Sequence, residues 1–415
     1  MKFNAPKGTK DILPFESSVW QFMEDKARYI FDKSNYREIR TPIFESTELF
    51  ARGVGNSTDI VNKEMYTFVQ KERSLTLRPE NTAGVVRAFV ENGMFKLPSP
   101  LKMWYKGPMF RYERPQAGRQ RQFHQIGAEV FGIKSAIADA EVIQLAMWYL
   151  NELNISNLSL EINNLGCEKC REEHKNRIKE AVKHNLGEFC EDCQIRYEKN
   201  TLRILDCKNL KCKQLLTSPE IDLIINSDYI CAECSDHFSA LQEYLKALNI
   251  EYTINKRLVR GLDYYNKTVF EITSNTLGSQ NAVCGGGRYD PLVEMLGGPH
   301  TPAVGWAMGM ERLISLMKAP PENKLQVFIV SNFTKEALKI ATELRRSGIC
   351  VDYDLANRGF SKQMDKAAKS GAEYALILGE NEIDTNILTL KNLSTGVQEH
   401  LAKKEIVNNL SNKKL

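Results

Sequence analysis

Eight of the ten cysteines lie in one stretch of the 415-residue chain, Gly166–Leu248, which is also highly charged and mostly helical in pattern. They form three Cys-x-x-Cys pairs and one Cys-x₄-Cys pair: Cys167/Cys170, Cys190/Cys193, Cys207/Cys212 and Cys231/Cys234. These spacings suit tetrahedral zinc, and eight thiolates suffice for up to two Cys₄ sites. Because strand-like patterns lie on both sides, we interpret the stretch as a helical insertion in a larger domain. Zinc there would support the fold and take no part in catalysis.

Composition excludes several classes of protein. The chain has 56 basic and 52 acidic residues, a net charge of +4, and 42% hydrophobic residues. It is therefore neither disordered nor a general binder of polyanions. No window approaches the roughly 18 unbroken apolar residues of a membrane span, and the first residues lack the apolar core of a secretion signal. We expect a soluble cytoplasmic protein of two or three domains, with no membrane partner. Paired cysteines in a reducing compartment favour metal binding over disulfides.

Helical and extended patterns alternate on both sides of the insertion. Apolar periodicity predicts helices over Phe15–Ser34 and Thr82–Gly93, and Ser135 is the expected cap of a helix that runs to about Leu153. Extended segments are predicted at Tyr36–Glu45, Leu101–Tyr105, Phe123–Gly132, Leu158–Asn163 and Lys267–Thr273. The glycine run CGGGRYD (Cys284–Asp290), taken alone, predicts only a flexible turn.

A proline-rich linker, Lys318–Lys324, precedes a different pattern. Three short apolar runs alternate with helical segments around Thr334–Arg346 and Ser361–Lys369, which predicts a small, largely parallel α/β domain. Arg358 and the lysines of the second helical segment are candidate contacts to RNA phosphates: Lys362, Lys366 and Lys369. The alternative is a solvated helix face.

Two segments before the insertion contain residues suited to charged substrates. Glu80 and Thr82 stand just before a helix, where they can bind an ammonium group or simply cap the helix. Four arginines crowd the loop of a predicted hairpin, which suits phosphate: Arg111, Arg114, Arg119 and Arg121. Phe123 follows them and is suited to stacking on a base. The alternative for this loop is a solvated basic surface.

These segments, together with RGLDYYNKTVFE (Arg260–Glu271), CGGGRYD and AVGWAMGMERL (Ala303–Leu313), resemble the bacterial-type histidyl-tRNA synthetases, which are class II aminoacyl-tRNA synthetases. The resemblance runs from Pro6 to the C-terminus. It implies an α+β catalytic core with an antiparallel sheet (1–165 and 249–320), the inserted helical domain (166–248) and a C-terminal α/β anticodon-binding domain (325–415). Some members of the family fold the insertion with other residues in place of the cysteines.

The resemblance also implies roles for individual residues. The catalytic residues would be Arg111, Arg260 and Gln125. The two arginines would act on the α-phosphate of ATP. The remaining ATP-binding residues would be Glu113, Arg119, Phe123 and Arg312. The histidine pocket would comprise Glu80, Asn81, Thr82, Arg111, Gln125, Glu129, Arg260, Tyr264, Tyr265 and Tyr289. Asn81 stands where many relatives have glycine, which is expected to leave backbone contacts intact but could narrow the amino-acid pocket.

The implied activity is ATP-dependent formation of histidyl-adenylate, followed by transfer of histidine to the terminal ribose of tRNA(His). The implied partners are L-histidine, ATP as its Mg²⁺ complex, tRNA(His) and a second copy of the chain in a homodimer. Two alternatives are catalytically silent regulatory relatives of histidine biosynthesis and class II synthetases for other amino acids. The complete set of histidine and ATP residues, together with the C-terminal domain, favours the synthetase over the regulator. RGLDYY argues against another amino acid.

Overall fold

The computed structural model describes residues 3–55, 58, 60–115, 118–277, 281–318 and 325–412. The chain divides into two compact units, residues 1–320 and 321–415. The predicted linker Lys318–Lys324 lies outside the described residues, except for Lys318. Among the described helices, none has both the length and the apolar character that crossing a membrane requires.

The N-terminal unit contains eleven strands in its described part. In chain order they are β1 (Arg37–Glu38), β2 (Phe44–Ser46), β3 (Tyr66–Gln70), β4 (Arg73–Leu77), β5 (Leu101–Phe110), β6 (Gln122–Phe131), β7 (Leu158–Asn164), β8 (Thr253–Ile254), β9 (Asn266–Ser274), β10 (Ala282–Arg288) and β11 (Ala303–Gly309). Eight of them form one sheet in the order β1-β5-β6-β11-β10-β9-β7-β8, and β2-β4-β3 form a small one. The six central strands pair antiparallel, with parallel pairs only at the two edges. This confirms the predicted antiparallel α+β core.

Helices cover this sheet and fill the insertion. They are α1 (Pro14–Lys33), α2 (Thr47–Val54), α3 (Thr82–Glu91), α4 (Ile137–Glu152), α5 (Glu168–Lys183), α6 (Glu191–Lys199), α7 (Leu210–Leu216), α8 (Pro219–Ile225), α9 (Ala232–Ala247), α10 (Pro291–Met295) and α11 (Met310–Leu316). Shorter helical turns lie at Ile60–Glu64, Met94–Lys96, Leu186–Glu188, Thr201–Ile204 and Asn275–Leu277. The predicted helices at the N-terminus and after Asn81 are thus present.

The main core lies between the sheet and helices α1 and α4. Met23, Ala27 and Ile30 recur on one face of α1 and are fully buried. They pack with Trp104 of β5 and Trp306 of β11. Each such buried aliphatic side chain contributes about 1.5–3 kcal/mol relative to exposure. This packing fixes the sheet whose opposite face carries the site described below.

The predicted cap of α4 was wrong. The helix begins at Ile137 with Ala136 at the N-cap, and the Ser135 hydroxyl is only a distant acceptor, 3.4 Å from the Ile137 amide. The Ser135 carbonyl instead accepts a hydrogen bond from buried Arg288. The hydroxyl caps poorly because the helix begins one residue later than predicted, and the contact to Arg288 involves only the carbonyl.

The glycine run is also not a turn. Gly285, Gly286 and Gly287 lie within β10, between β9 and β11, which supply their backbone partners. A Cβ atom on Gly286 would lie 2.4 Å from the Gly305 carbonyl oxygen. The run forms a strand because its neighbours occupy the space of the missing side chains, which local sequence patterns do not show.

The C-terminal unit has a five-stranded sheet. Its elements in chain order are β12 (Val327–Ser331), α12 (Thr334–Arg346), β13 (Val351–Tyr353), α13 (Phe360–Lys369), β14 (Tyr374–Leu378), α14 (Glu380–Thr385), β15 (Ile387–Asn392), β16 (Gln398–Ala402) and α15 (Lys403–Asn412). The strand order is β13-β12-β14-β15-β16, of which the first three are parallel and the last two antiparallel. The predicted α/β pattern is therefore present, with an antiparallel hairpin that we did not predict.

Candidate active site

A cavity of about 890 Å³ lies over the face of the large sheet. All but three of the predicted histidine- and ATP-site residues line it: Glu80, Thr82, Arg111, Glu113, Arg119, Phe123, Gln125, Arg260, Tyr264, Tyr265 and Arg312. The other three, Asn81, Glu129 and Tyr289, lie behind the lining and are buried. Segments far apart in sequence thus converge on one site.

Glycines in β10 and β11 make room for charged side chains at the floor of this cavity. A Cβ atom on Gly285 would lie 1.7 Å from the Arg260 guanidinium, and one on Gly305 would lie 1.7 Å from Glu129 Oε2. Any larger residue would displace these groups. The glycines of the sequence motifs are therefore explained by close approach of site residues to the sheet.

Glu80 caps helix α3. Its carboxylate accepts hydrogen bonds from the backbone amides of Thr82, at 2.8 Å, and Ala83, at 2.9 Å. Burial raises its pKa above the ordinary value, against the lowering effect of these amides and of nearby Arg111. Glu80 therefore caps the helix, as one of its two interpretations from the sequence proposed. The same carboxylate also lines the cavity. The two interpretations are compatible.

Glu129 on β6 is fully buried between two hydroxyl groups. Thr82 donates to its Oε1 at 2.8 Å and Tyr289 donates to its Oε2 at 2.5 Å. Burial raises the pKa of Glu129 to about 8, although the two hydroxyls act in the opposite direction. A carboxyl with this pKa can hold or release a proton near neutral pH.

Arg260 and Gln125 both line the cavity. Arg260 pairs with Glu271 of β9, a residue to which the sequence analysis gave no role. Gln125 Oε1 is buried and has no hydrogen-bond partner within the described part of the chain. A buried acceptor without a partner is costly, so this oxygen is suited to a donor on a bound ligand.

Arg111, Arg119 and Arg312 gather at the other end of the cavity around Glu113. Arg119 donates to Glu113 at 2.7 Å, and Arg312 donates to the Ala282 carbonyl at 2.6 Å. Burial and the charge of Arg119 lower the pKa of Arg312. Three guanidinium groups near one carboxylate leave a positive field that suits a polyphosphate.

Phe123 lies beneath this cluster, with the Arg111 guanidinium 5.2 Å from its ring centre. The other two arginines of the hairpin do not join the cluster. Arg114 is exposed, and Arg121 lies 4.0 Å from the ring centre of Tyr112 and covers Gly8. Neither Arg114 nor Arg121 lines the cavity, and Arg121 reaches Glu113 only at its backbone carbonyl, at 3.3 Å.

One pair at the site was missed in the sequence. Glu311 of α11 accepts hydrogen bonds from the backbone amide of His124, at 2.9 Å, and lies 3.0 Å from its Nδ1. This contact joins α11 to β6 between Phe123 and Gln125. The only available signal was the position of Glu311 next to Arg312.

Asn81 turns away from the cavity. Its Oδ1 accepts hydrogen bonds from the Thr41 hydroxyl at 2.6 Å and from Arg78 at 3.2 Å. Its φ of −117° is ordinary for any residue. The side chain therefore braces the segment before β2 and, in this structure, leaves the amino-acid pocket no narrower.

The eight cysteines of the insertion form two clusters of four. The first cluster contains Cys167, Cys170, Cys231 and Cys234, and the second contains Cys190, Cys193, Cys207 and Cys212. Within each cluster all sulfur atoms lie within 4.8 Å of one another. The structure thus brings together residues that the sequence could assign only as pairs.

Backbone amides support the sulfur atoms. The amides of Cys167, Cys190 and Cys231, each at the N-cap of a helix, donate to sulfurs of the same cluster at 3.2 Å. The pKa of Cys167 falls to about 7 as hydrogen bonds from its neighbours outweigh burial. The pKa of Cys190 is lowered in the same way, whereas burial raises the pKa of Cys170, Cys193, Cys212 and Cys234. The thiolate is the form that binds metal.

The insertion also supplies one wall of the cavity. Cys190 and Cys207 of the second cluster line it, as do the basic residues Arg196, Lys208 and Lys213. Their placement beside the site follows from the fold, and nothing in the local sequence indicated it.

In the C-terminal unit, part of the predicted basic face is paired with a carboxylate. Asp354 accepts from Arg358 at 2.9 Å and lies 3.7 Å from Lys366. Lys362 and Lys369 are exposed. Three large apolar side chains are also exposed near the carboxyl ends of the parallel strands: Phe333, Leu355 and Phe360. Cations and apolar side chains therefore share one edge of this sheet.

The chain is similar to known proteins over almost its whole length. It matches the family profile described as Histidyl-tRNA synthetase over residues 8–186 and 216–313, and that of an anticodon binding domain over 321–413. The histidine–tRNA ligase of Desulforamulus reducens is 46% identical, over 98% of each chain. That of Desulfitobacterium hafniense is 47% identical, over 97% of this chain and 96% of the relative. The crystal structure of apo histidyl-tRNA synthetase from S. aureus superposes with a TM-score of 0.81 at 35% identity, over 99% of this chain and 100% of that one.

Proposed function

The chain belongs to the histidyl-tRNA synthetase family, and we propose that the cavity on its large sheet is where histidine is activated and passed to tRNA. Its activity is that of a histidine–tRNA ligase. The assignment of the cavity rests on one observation: it combines two groups of side chains with different chemistry. Buried carboxyl and hydroxyl groups lie at one end, and three arginines with an aromatic ring lie at the other.

Histidine would bind at the end formed by α3, β6 and the loop before β9. Glu80, Thr82 and the unpartnered Gln125 oxygen would receive its ammonium group. Glu129 would accept from one imidazole nitrogen, and Tyr265 would address the other, with Tyr264 and Tyr289 around the ring. A pocket built from hydrogen bonds rejects apolar analogues strongly, because its own polar groups would stay unpaired. Binding alone would then be sufficient to select histidine over such analogues.

ATP, as its Mg²⁺ complex, would bind at the arginine end. Phe123 would stack on adenine and Glu113 would accept from its amino group. Arg119 and Arg312 would hold the β- and γ-phosphates. Arg111 and Arg260 would approach the α-phosphate from opposite sides.

In the first step a carboxylate oxygen of histidine attacks the α-phosphorus of ATP, and the bond to pyrophosphate breaks. Negative charge grows on the phosphoryl oxygens during this step. Fixed guanidinium groups stabilise that charge more in the transition state than in the ground state. Arg111 is preorganised for this role by its hydrogen bond to the Pro79 carbonyl at 2.9 Å.

In the second step a hydroxyl of the terminal tRNA ribose attacks the histidyl carbonyl, and AMP leaves. The basic insertion wall, with Arg196, Lys208 and Lys213 at the cavity, would attract the phosphates of the incoming tRNA(His) end. The C-terminal unit would bind the anticodon at the sheet edge where exposed Phe333, Leu355 and Phe360 lie beside cations. Aromatic rings at such an edge suit stacking on unpaired bases.

Each cysteine cluster would hold one structural zinc ion. A tetrahedral Zn–S₄ site with bonds of about 2.3 Å has sulfurs about 3.8 Å apart. The Cys167–Cys170 and Cys190–Cys207 sulfurs lie 3.6 and 3.7 Å apart, too far for a disulfide and close to this value. The donor set therefore fits. Zinc would supply cross-links that hold the helices of the insertion together.

The domain boundaries follow the same assignment: 1–165 and 249–320 for the catalytic core, 166–248 for the insertion and 325–415 for the anticodon-binding domain. The gap in the family match, residues 187–215, falls inside the insertion. Leu241 and Leu245 of α9 pack into the main core, so the end of the insertion is firmly joined to the catalytic domain.

A second copy of the chain would cover the β2-β4-β3 region. Ile43, Phe44, Phe68 and Val69 are exposed there, and the Phe44 and Phe68 rings lie 6.5 Å apart. An exposed apolar patch of this kind favours a protein interface. The homodimer would operate in the cytoplasm, where tRNA charging serves translation.

The complete reaction tests the proposal. Transcribed tRNA(His) and labelled histidine are incubated with ATP, Mg²⁺ and the full-length protein. We expect ATP-dependent accumulation of acid-precipitable histidine. A folded protein that charges no tRNA(His) would contradict the proposed function.

A further inference from the structure

The loop that carries Arg260, Tyr264 and Tyr265 has no regular secondary structure. It spans residues 255–265, between β8 and β9. Catalytic geometry must be held within fractions of an ångström, so such a loop requires anchors from outside itself. Asp263, which lies between Arg260 and Tyr264 in this loop, is the residue to which such anchors bind.

Asp263 receives hydrogen bonds from two insertion residues. Asn200, at the end of α6, donates its side-chain amide to Asp263 Oδ1 at 2.6 Å. Arg171, in the first turn of α5, donates to the Asp263 backbone carbonyl at 3.2 Å. Burial lowers the pKa of Arg171, and the charge of Asp263 partly opposes this. The carboxylate is thus held both by a hydrogen bond and by a nearby cation.

Asp263 is also seated against the catalytic core. Its amide donates to the Val54 carbonyl at 3.1 Å. A Cβ atom on Gly55, whose φ is +104°, would lie 2.4 Å from Asp263 Oδ2. The residue is therefore confined between the end of α2 on one side and two insertion helices on the other.

We propose that Asn200 and Arg171 are positioning residues for histidine activation, which act through Asp263 to hold Arg260 and Tyr265 in place. This inference rests on the proposed function. It gives the insertion a part in the first chemical step, in addition to any contact with tRNA. The ATP residues Glu113, Arg119, Phe123 and Arg312 lie on other elements, so the effect would be selective for histidine.

The test is Asn200→Asp in the full-length protein, which sets a second carboxylate against Asp263. We expect kcat of histidine-dependent ATP–pyrophosphate exchange to fall about 10-fold or more, the consequence of a lost hydrogen bond to a charged group. KM for histidine would rise, and KM for ATP would stay within about twofold. The matched control is Asn249→Asp, the same change at an exposed site just after α9 and away from Asp263, which should behave as wild type.

A partner exchange separates positioning from general damage. In Asn200→Asp with Asp263→Asn the donor and acceptor are swapped, so the hydrogen bond can form again. We expect exchange activity to recover to within about threefold of wild type. Arg171→Met provides a second variant if Asn200→Asp does not fold, and it should give the same selective rise in KM for histidine.

Three outcomes would overturn the inference: wild-type exchange by Asn200→Asp, an equal loss in the Asn249→Asp control, or a swapped pair no better than the single variant. Absence of histidine-dependent exchange in the wild-type protein would instead contradict the proposed function, so the two failures are distinguishable.

Discussion

The Tyr289 hydroxyl donates to Glu129 Oε2 at 2.5 Å, although Glu129 lies on β6 and Tyr289 directly follows β10, two strands that β11 separates. Both residues are buried, and Thr82 at the start of α3 holds the other carboxylate oxygen. One carboxyl therefore joins β6, β10 and α3. The orientation of Glu129 is fixed before any ligand arrives, which is the preorganisation that selective hydrogen bonding requires.

We predict that histidine binding releases a proton from Glu129. Burial raises its pKa to about 8, so the carboxyl is mostly protonated in the free protein at pH 7. An imidazole N–H forms a much stronger hydrogen bond with the ionised carboxylate than with the protonated carboxyl. Histidine affinity should therefore rise with pH between about 7 and 8, where free imidazole is already neutral. Titration calorimetry in buffers of different ionisation enthalpy measures the proton directly.

The control for this prediction is Glu129→Gln, which has no proton to release. Its histidine affinity should be weaker and flat over the same pH range. A wild-type affinity that falls from pH 7 to 8, with no proton released, would contradict the role of Glu129.

Arg260→Ala should lower the single-turnover rate of histidyl-adenylate formation by roughly 10²–10³, as removal of one preorganised charge donor does. Arg260→Lys, which keeps a charge next to Glu271, should retain more activity. Arg114→Ala changes an exposed arginine of the hairpin and serves as the control. Near-normal adenylation by Arg260→Ala would refute its assignment to the α-phosphate.

Asn81→Ala should destabilise the fold and leave the pocket unchanged. Loss of the buried acceptor removes one hydrogen bond from each of Thr41 and Arg78, at a cost of about 1–2 kcal/mol in the free energy of unfolding, although Arg78 keeps its bonds to the Thr41 and Pro108 carbonyls. KM for histidine should stay within about twofold of wild type. Urea denaturation and pyrophosphate exchange measure the two effects. A large change in KM with unchanged stability would show that Asn81 does shape the pocket.

The protein should contain two zinc ions per chain when purified without chelators, because each cysteine cluster offers four sulfurs. Cys212→Ser should reduce the zinc content, measured by mass spectrometry, to one ion per chain. Loss of that ion should also lower the thermal stability of the insertion. Cys350→Ser, at an exposed cysteine outside both clusters, should leave two ions. A metal-free protein of normal stability would contradict the zinc sites.

Much of the fold was predictable because it follows from local patterns. The apolar period of α1, the alternation in β5 and the α/β succession after residue 325 each give the element that they predict. The glycine run was misread because its conformation is set by β9 and β11, and the cap was misplaced because α4 begins one residue later than its pattern predicts. The first of these effects is tertiary and has no local signal.

The candidate site was predictable as a set of residues through the family resemblance, whereas its geometry was not. Motif spacing could not show that Glu129 and Tyr289 lie behind the cavity wall or that Asn81 turns towards Arg78. It also could not pair the cysteines, since four pairs allow several clusters of four. Glu311, Arg171 and Asn200 escaped notice because their partners are distant in sequence, whereas Glu271 lies in the same motif as its partner Arg260.

The most direct test of the central claim is ATP–pyrophosphate exchange with each amino acid supplied singly, without tRNA. The account predicts exchange with histidine and background levels with the other amino acids, because only an imidazole satisfies both Glu129 and Tyr265. Exchange with a different amino acid, or none with any amino acid from folded protein, would contradict it.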